Sequence, residues 1–136
     1  MSIRRILVID DDFHDLEALA RTTRALIKEC GIENIVVDGQ STLSNAMNLL
    51  TSYQDIELII CDLHLPDNDI FDILKYCVNE NITTPLLLVT GTDDDSLETA
   101  EFIGRVKGVN ILGCYSKPLL PQHLEQVMIE AQICNK

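Results

Sequence analysis

Five short apolar runs, each followed by a stretch with helical periodicity, leave this chain very few ways to fold. The runs are Ile3 to Ile9, Ile35-Val36-Val37, Glu57 to Asp62, Pro85 to Thr90 and Val109 to Tyr115. Blocks such as Ile6-Leu7-Val8-Ile9 and Leu58-Ile59-Ile60-Cys61 are apolar without alternation, which suits strands buried on both faces. From Phe13 to Cys30 the apolar stripe is Leu16, Leu19, Ala20, Thr23, Ile27 and Cys30, and Gly31 is placed to end that helix in the left-handed region. Ser41 is the expected cap of a second helix, striped by Leu43, Ala46, Met47 and Leu50. The turn Pro66-Asp67-Asn68-Asp69 leads into a third, striped by Ile70, Ile73, Leu74 and Cys77. Gly91 breaks the fourth strand. Asp95 or Ser96 then caps a helix running towards Lys107 through Leu97, Ala100 and Ile103. The last helix runs from Pro121 towards Cys134 with Leu124, Val127, Met128 and Ala131 on its core face. This alternation predicts an α/β fold: a five-stranded parallel sheet with helices on both faces, all strand C-termini along one edge. No linker, low-complexity segment or short repeat interrupts it, so residues 1–136 read as one domain.

That edge collects charge. Asp10-Asp11-Asp12 closes the first strand, Asp62 closes the third, Thr90 the fourth, and Lys117-Pro118 follows the fifth. Each close pair of like charges costs about 4 kcal/mol at about 4 Å and an effective dielectric of about 20. A fold keeps such a cluster when a cation neutralises it or when the acids act as a set. Oxygen donors without a His–Cys cluster suit a hard divalent ion such as Mg²⁺. With the acids neutralised, an anionic phosphoryl group can approach, and Asp62 can attack phosphorus to give an acyl phosphate. Lys117, the Thr90 hydroxyl and backbone N–H groups would balance the phosphoryl oxygens.

Composition narrows the partners. The net charge of −12, from 22 acids against 10 bases, argues against direct binding to nucleic acid or an anionic membrane surface. Five cysteines without CxxC or metal-like spacing suit a reducing cytoplasm, most of them as small core residues. The apolar run after Arg4-Arg5 is too short for a secretory segment, and no stretch approaches the ~20 apolar residues of a membrane span.

Four motifs together carry a resemblance. Ile6 to Asp12, Cys61-Asp62-Leu63-His64-Leu65-Pro66, Val89-Thr90-Gly91 and Ser116-Lys117-Pro118 stand in order at strand ends, and over nearly its whole length the chain resembles the receiver domains of two-component response regulators. The resemblance implies a flavodoxin-like (βα)5 fold with Asp62 as phosphoacceptor and Asp11 as a direct Mg²⁺ ligand. It further implies Asp10 acting mainly through water, the His64 backbone carbonyl as a further ligand, and Thr90 and Lys117 touching the phosphoryl group. The donor would be a sensor histidine kinase or a histidine phosphotransfer protein in the cytoplasm. Phosphorylation would draw the threonine inward and repack the face formed by the fourth helix, fifth strand and fifth helix, which is also the expected surface for a homodimer. Turnover of a free substrate is not implied. The segments Leu97-Glu98-Thr99-Ala100-Glu101, Val109 to Gly113 and Lys117-Pro118-Leu119 resemble receivers fused to EAL-type cyclic-di-GMP phosphodiesterases, so an EAL output, fused or separate, is the expected partner.

The chain departs from the family pattern in four places. Ile70 stands where Gly is usual, Cys114 occupies the position of an aromatic switch residue with Tyr115 beside it, Leu119 replaces a common Phe, and the span from Thr90 to Lys117 is long. Bland readings account for other features: Asp12 as a helix cap, His14, His64 and His123 as surface residues, and Asp93-Asp94-Asp95 as a polar loop. The His64 side chain could instead tune access of water to the phosphoryl group. Ile129 and Ile133 lie off the last stripe and suggest an exposed partner surface.

Two alternatives remain. A haloacid-dehalogenase-type phosphohydrolase would use Asp10 as nucleophile and Asp12 as acid/base, but His14 stands where Thr or Val is expected, the chain lacks room for a cap domain, and the Asp62 to Pro66 motif is left unexplained. A degenerate receiver would act by protein binding alone, against which stand the intact acids, Thr90 and Lys117. A Rossmann-type nucleotide domain is excluded, because acids occupy the first strand–helix turn where glycines are required.

Overall fold

The computed structural model describes residues 3–65, 68–91 and 96–134. Among the described residues there are seven strands and five helices, in the order β1 (Arg4–Ile9), α1 (Phe13–Glu29), β2 (Ile35–Gln40), α2 (Leu43–Ser52), β3 (Ile56–Asp62), β4 (His64–Leu65), β5 (Asn68–Asp69), α3 (Ile70–Asn79), β6 (Leu86–Thr90), α4 (Ser96–Val106), β7 (Ile111–Ser116) and α5 (Pro121–Glu130). Five strands form one parallel sheet in the order β2-β1-β3-β6-β7, while β4 and β5 make a two-residue antiparallel ribbon. The main order is the doubly wound arrangement, whose direction reverses between β1 and β3.

Each sheet face has its own core. Leu7, Ile9, Ile59, Cys61, Leu86 and Leu88 pack on one side with α2, α3 and α4. Ile6, Val8, Leu58, Ile60, Leu87 and Val89 pack on the other with α1 and α5. Alternation along each strand thus continues although both faces are apolar, because helices cover both.

Several boundaries differ from the sequence expectation for identifiable reasons. β2 runs on through Asp38-Gly39-Gln40, since pairing with Leu7-Val8-Ile9 overrides their poor strand propensity. Thr42, not Ser41, caps α2, its side chain accepting the Asn45 N–H at 3.2 Å. β7 begins at Ile111 because Val109 belongs to the turn that ends α4: its N–H bonds the Gly104 carbonyl at 2.8 Å, with Gly108 at φ +86°. α5 stops at Glu130 instead of reaching Cys134. The turn beyond it buries Ile133 to 3% exposure, so Ile133 is core and not partner surface, and Ile129 is half-buried. The residues Pro66, Asp67 and Asp93 to Asp95 lie outside the described residues, while Ser96 opens α4. Ile70, where the family pattern has Gly, starts α3 and is buried in the α3 core.

Candidate functional site

Asp10 follows β1 and Asp62 ends β3, so the two acids flank the point where strand order reverses. Crevices outside strand C-termini at that point are where open α/β sheets bind ligands. Both carboxylates are withdrawn from solvent, Asp10 to 1% exposure and Asp62 to 6%. Asp11 is exposed at the mouth. Carboxylate oxygens of Asp10, Asp11 and Asp62 lie within 4.8 Å of one another.

Lys117 joins the set from the loop after β7. Its Nζ donates to Asp10 Oδ2 at 2.7 Å, Asp62 Oδ2 at 3.0 Å and Asp15 Oδ2 at 3.0 Å. Its own N–H bonds the Thr90 carbonyl at 2.7 Å, tying the loop to the end of β6, and the Lys117–Pro118 peptide is cis. Thr90 is fully buried. The other Asp10 oxygen, Oδ1, accepts the Asp12 N–H at 3.0 Å. Burial pushes the Asp10 carboxyl above the usual carboxylate range; Lys117 and the Asp12 N–H oppose this, and the Asp62 charge adds to it. For Lys117, burial works to lower the ammonium, yet hydrogen bonds to Asp10, Asp15 and Asp62 outweigh it and hold the group above its ordinary value.

Asp12 stands apart. Its carboxylate caps α1 by accepting the Asp15 N–H at 3.0 Å, a bond that holds it below its ordinary value. Asp15 was not singled out by motif, although it sits one helical turn beyond the acids, where a side chain can turn back to the strand ends. A cleft of about 500 Å³ opens beside these groups, lined by Asp10, Asp15, Leu19, Thr22, Gly91 and Leu119.

On β7 the chain takes one extra residue: Leu86 pairs with Ile111 but Leu87 with Gly113. This bulge at Leu112 resets the alternation. Cys114 therefore faces the α4 side, half-buried, where burial and then a hydrogen bond with Glu101 push its thiol up to about 12. Tyr115 faces the other side and stacks on His123, ring centroids 4.9 Å apart at 23°. His123 is thus half-buried rather than a surface residue, whereas His14 is exposed; the His64 side chain lies outside what the structure describes.

No protein-family model matches the chain. The signal receiver domain of an HD domain-containing protein from Pseudomonas fluorescens superposes with a TM-score of 0.77 at 22% identity, covering 96% of this chain and 94% of that one. A response regulator receiver domain, CheY-like, from Methylobacillus flagellatus gives 0.70 at 16% identity, covering 96% and 99%. The chain has the receiver fold. In sequence it is similar to the cell cycle transcriptional regulator CtrA of Caulobacter vibrioides, 29% identical over 101 residues, or 74% of this chain. That match spans 40% of the regulator, so the chain covers less than half the length of this relative. On the receiver fold seen here, Asp10, Asp11, Asp62, Thr90 and Lys117 share one rim, as their positions at strand ends predict.

Proposed function

We propose that the chain is the phosphoacceptor domain of a two-component response regulator. The observation that carries this reading is the Lys117 ammonium held between Asp10 and Asp62, at 2.7 and 3.0 Å, over an all-oxygen acid cluster at the strand-order reversal. Such a donor set fits Mg²⁺, with Asp10, Asp11 and Asp62 as its holders; the resemblance adds the His64 backbone carbonyl as a further ligand. When bound, the ion would supply the positive charge that lets a phosphoryl group approach the acids.

Asp62 is the nucleophile. Its carboxylate oxygen forms a bond to phosphorus as the nitrogen–phosphorus bond of a partner's phosphohistidine breaks and the imidazole leaves. Asp10 is less suited, since it is the more deeply buried of the two acids, at 1% exposure against 6%. The same geometry weakens the phosphohydrolase alternative, whose acid/base residue, Asp12, caps a helix instead. Lys117 and the Thr90 hydroxyl balance charge on the transferred group. The partner approaches along the cleft between α1 and the Lys117 loop. The response is read on the α4–β7–α5 face, and α4 also carries Phe102 and Val106, each 70% exposed, as apolar surface open to an output domain or a second copy. An EAL-type phosphodiesterase is the output that the α4 and β7 segments favour.

Incubation with Mg²⁺ and acetyl phosphate, followed by intact and peptide mass spectrometry, tests the reading. We expect phosphate on Asp62, lost in Asp62→Asn. Phosphate on Asp10 would establish the hydrolase alternative, and no adduct with no Mg²⁺ binding would leave a domain that acts by binding alone.

A further inference from the structure

α1 and α5 both begin at the acid rim and end at the opposite edge of the sheet, about 25 Å away along the 17 residues of α1. They end in the same turn. After α1, Gly31 N–H bonds Lys28 O and Ile32 N–H bonds Ile27 O, with Gly31 at φ +73°. After α5, Gln132 N–H bonds Ile129 O and Ile133 N–H bonds Met128 O, with Gln132 at φ +62°. Turns of this kind fold the following residues back against the helix. Ile133 and Cys134 are accordingly buried, and Cys134 meets Cys30, the half-buried residue that closes α1. Their Sγ atoms lie 2.6 Å apart although 104 residues separate them in the chain.

We propose that Cys30 and Cys134 form a reversible disulfide that clasps the far ends of α1 and α5. Closure to a bond of about 2.05 Å asks the two sulfurs to approach by about 0.5 Å from their 2.6 Å separation. The oxidant is a small-molecule disulfide of the glutathione class. The Cys30 thiolate, the more accessible of the two, attacks one of its sulfurs and releases one small thiol. The Cys134 thiolate then attacks Cys30 Sγ; the Sγ–Sγ bond forms and the second small thiol leaves. The two protein thiols lose two electrons and two protons, and the two small thiols carry them away. The other three cysteines cannot take either place, because Cys61, Cys77 and Cys114 pack in the core on the opposite face of the sheet. Closing so long a loop restricts the unfolded chain and so raises resistance to unfolding.

The test equilibrates the whole chain with oxidised glutathione and compares it with a dithiothreitol-treated sample. Expected are an intact mass lower by two hydrogens, a bridged Cys30–Cys134 peptide on mapping, and a thermal midpoint higher by several degrees, all reversed by dithiothreitol. Cys30→Ser and Cys134→Ser should each lose the bridge and the shift, and Cys114→Ser should keep both. Peptide mapping of the wild type decides the matter even if a serine variant fails to fold. A glutathione adduct on Cys30 without a bridge, a bridge through Cys114, or an oxidised form that melts with the reduced one would overturn the proposal.

Discussion

The middle of the sheet and its β7 edge are built from similar residues yet behave as different materials. β1 and β3 have neighbours on both sides, and Ile6, Leu7, Val8, Leu58, Ile59 and Ile60 are all at or below 1% exposure. β7 has a neighbour on one side only, carries a bulge, and leaves Leu112, Cys114 and Tyr115 half-buried. The acids stand on the first, rigid platform, where a mutual repulsion can be held in place. The residue that sequence placed at the switch position stands on the second, where less packing resists a shift. On the function proposed above, the site that holds charge and the surface that repacks are thus assigned to strands of different burial.

The largest effect that would test this contrast is in packing. Ile60→Ala on β3 should destabilise the fold by about 2–5 kcal/mol, while Leu112→Ala on β7 should cost only about 1 kcal/mol, because a half-buried side chain loses less transfer energy and leaves no closed cavity. Urea unfolding of the two variants checks it, and equal losses would break the comparison.

A smaller effect lies in the charge of the platform. The folded-state pKa of Asp10 is raised above its ordinary 3.8, so the proton binds the folded state more tightly. Its favourable contribution is present below that ordinary value and is lost as pH rises through the raised one. Asp10→Asn removes this loss, so its stability relative to wild type should climb as pH rises above the ordinary carboxylate range. Denaturation midpoints across that range, without divalent ions, measure it; a flat difference would mean that Lys117 fully cancels the burial.

The smallest effect belongs to the edge. Burial and Glu101 hold the Cys114 thiol up to about 12, so it should alkylate more slowly than a free thiol at neutral pH despite its half-exposure. Glu101→Gln should speed the reaction modestly, read by mass spectrometry after timed iodoacetamide treatment.

Much of the platform was legible in the sequence, and the reason is physical. Unbroken apolar runs such as Ile6 to Ile9 have no stable place except a strand covered on both faces, and right-handed connections then bring Asp10, Asp62, Thr90 and Lys117 to one rim. Asp15 escaped because its partner is 102 residues away and no local pattern marks a first-turn aspartate as anything but a helix start. The limits of β2 and β7 escaped because strand pairing and a helix-ending turn, neither visible in local propensity, drew them.

The sequence by itself determined the class of fold, the direction of the five strands of the main sheet and the residue types at the acid rim, since these follow from hydrophobic period and residue type; the antiparallel β4–β5 ribbon it did not show. Tertiary structure alone decided which of Cys114 and Tyr115 faces α4, because one bulged residue at Leu112 exchanges the two faces of the strand. It alone decided that Ile133 is core and that Cys134 lies against Cys30. A left-handed residue at Gln132 reverses the chain there, and the contact it creates joins groups that no spacing in the sequence relates.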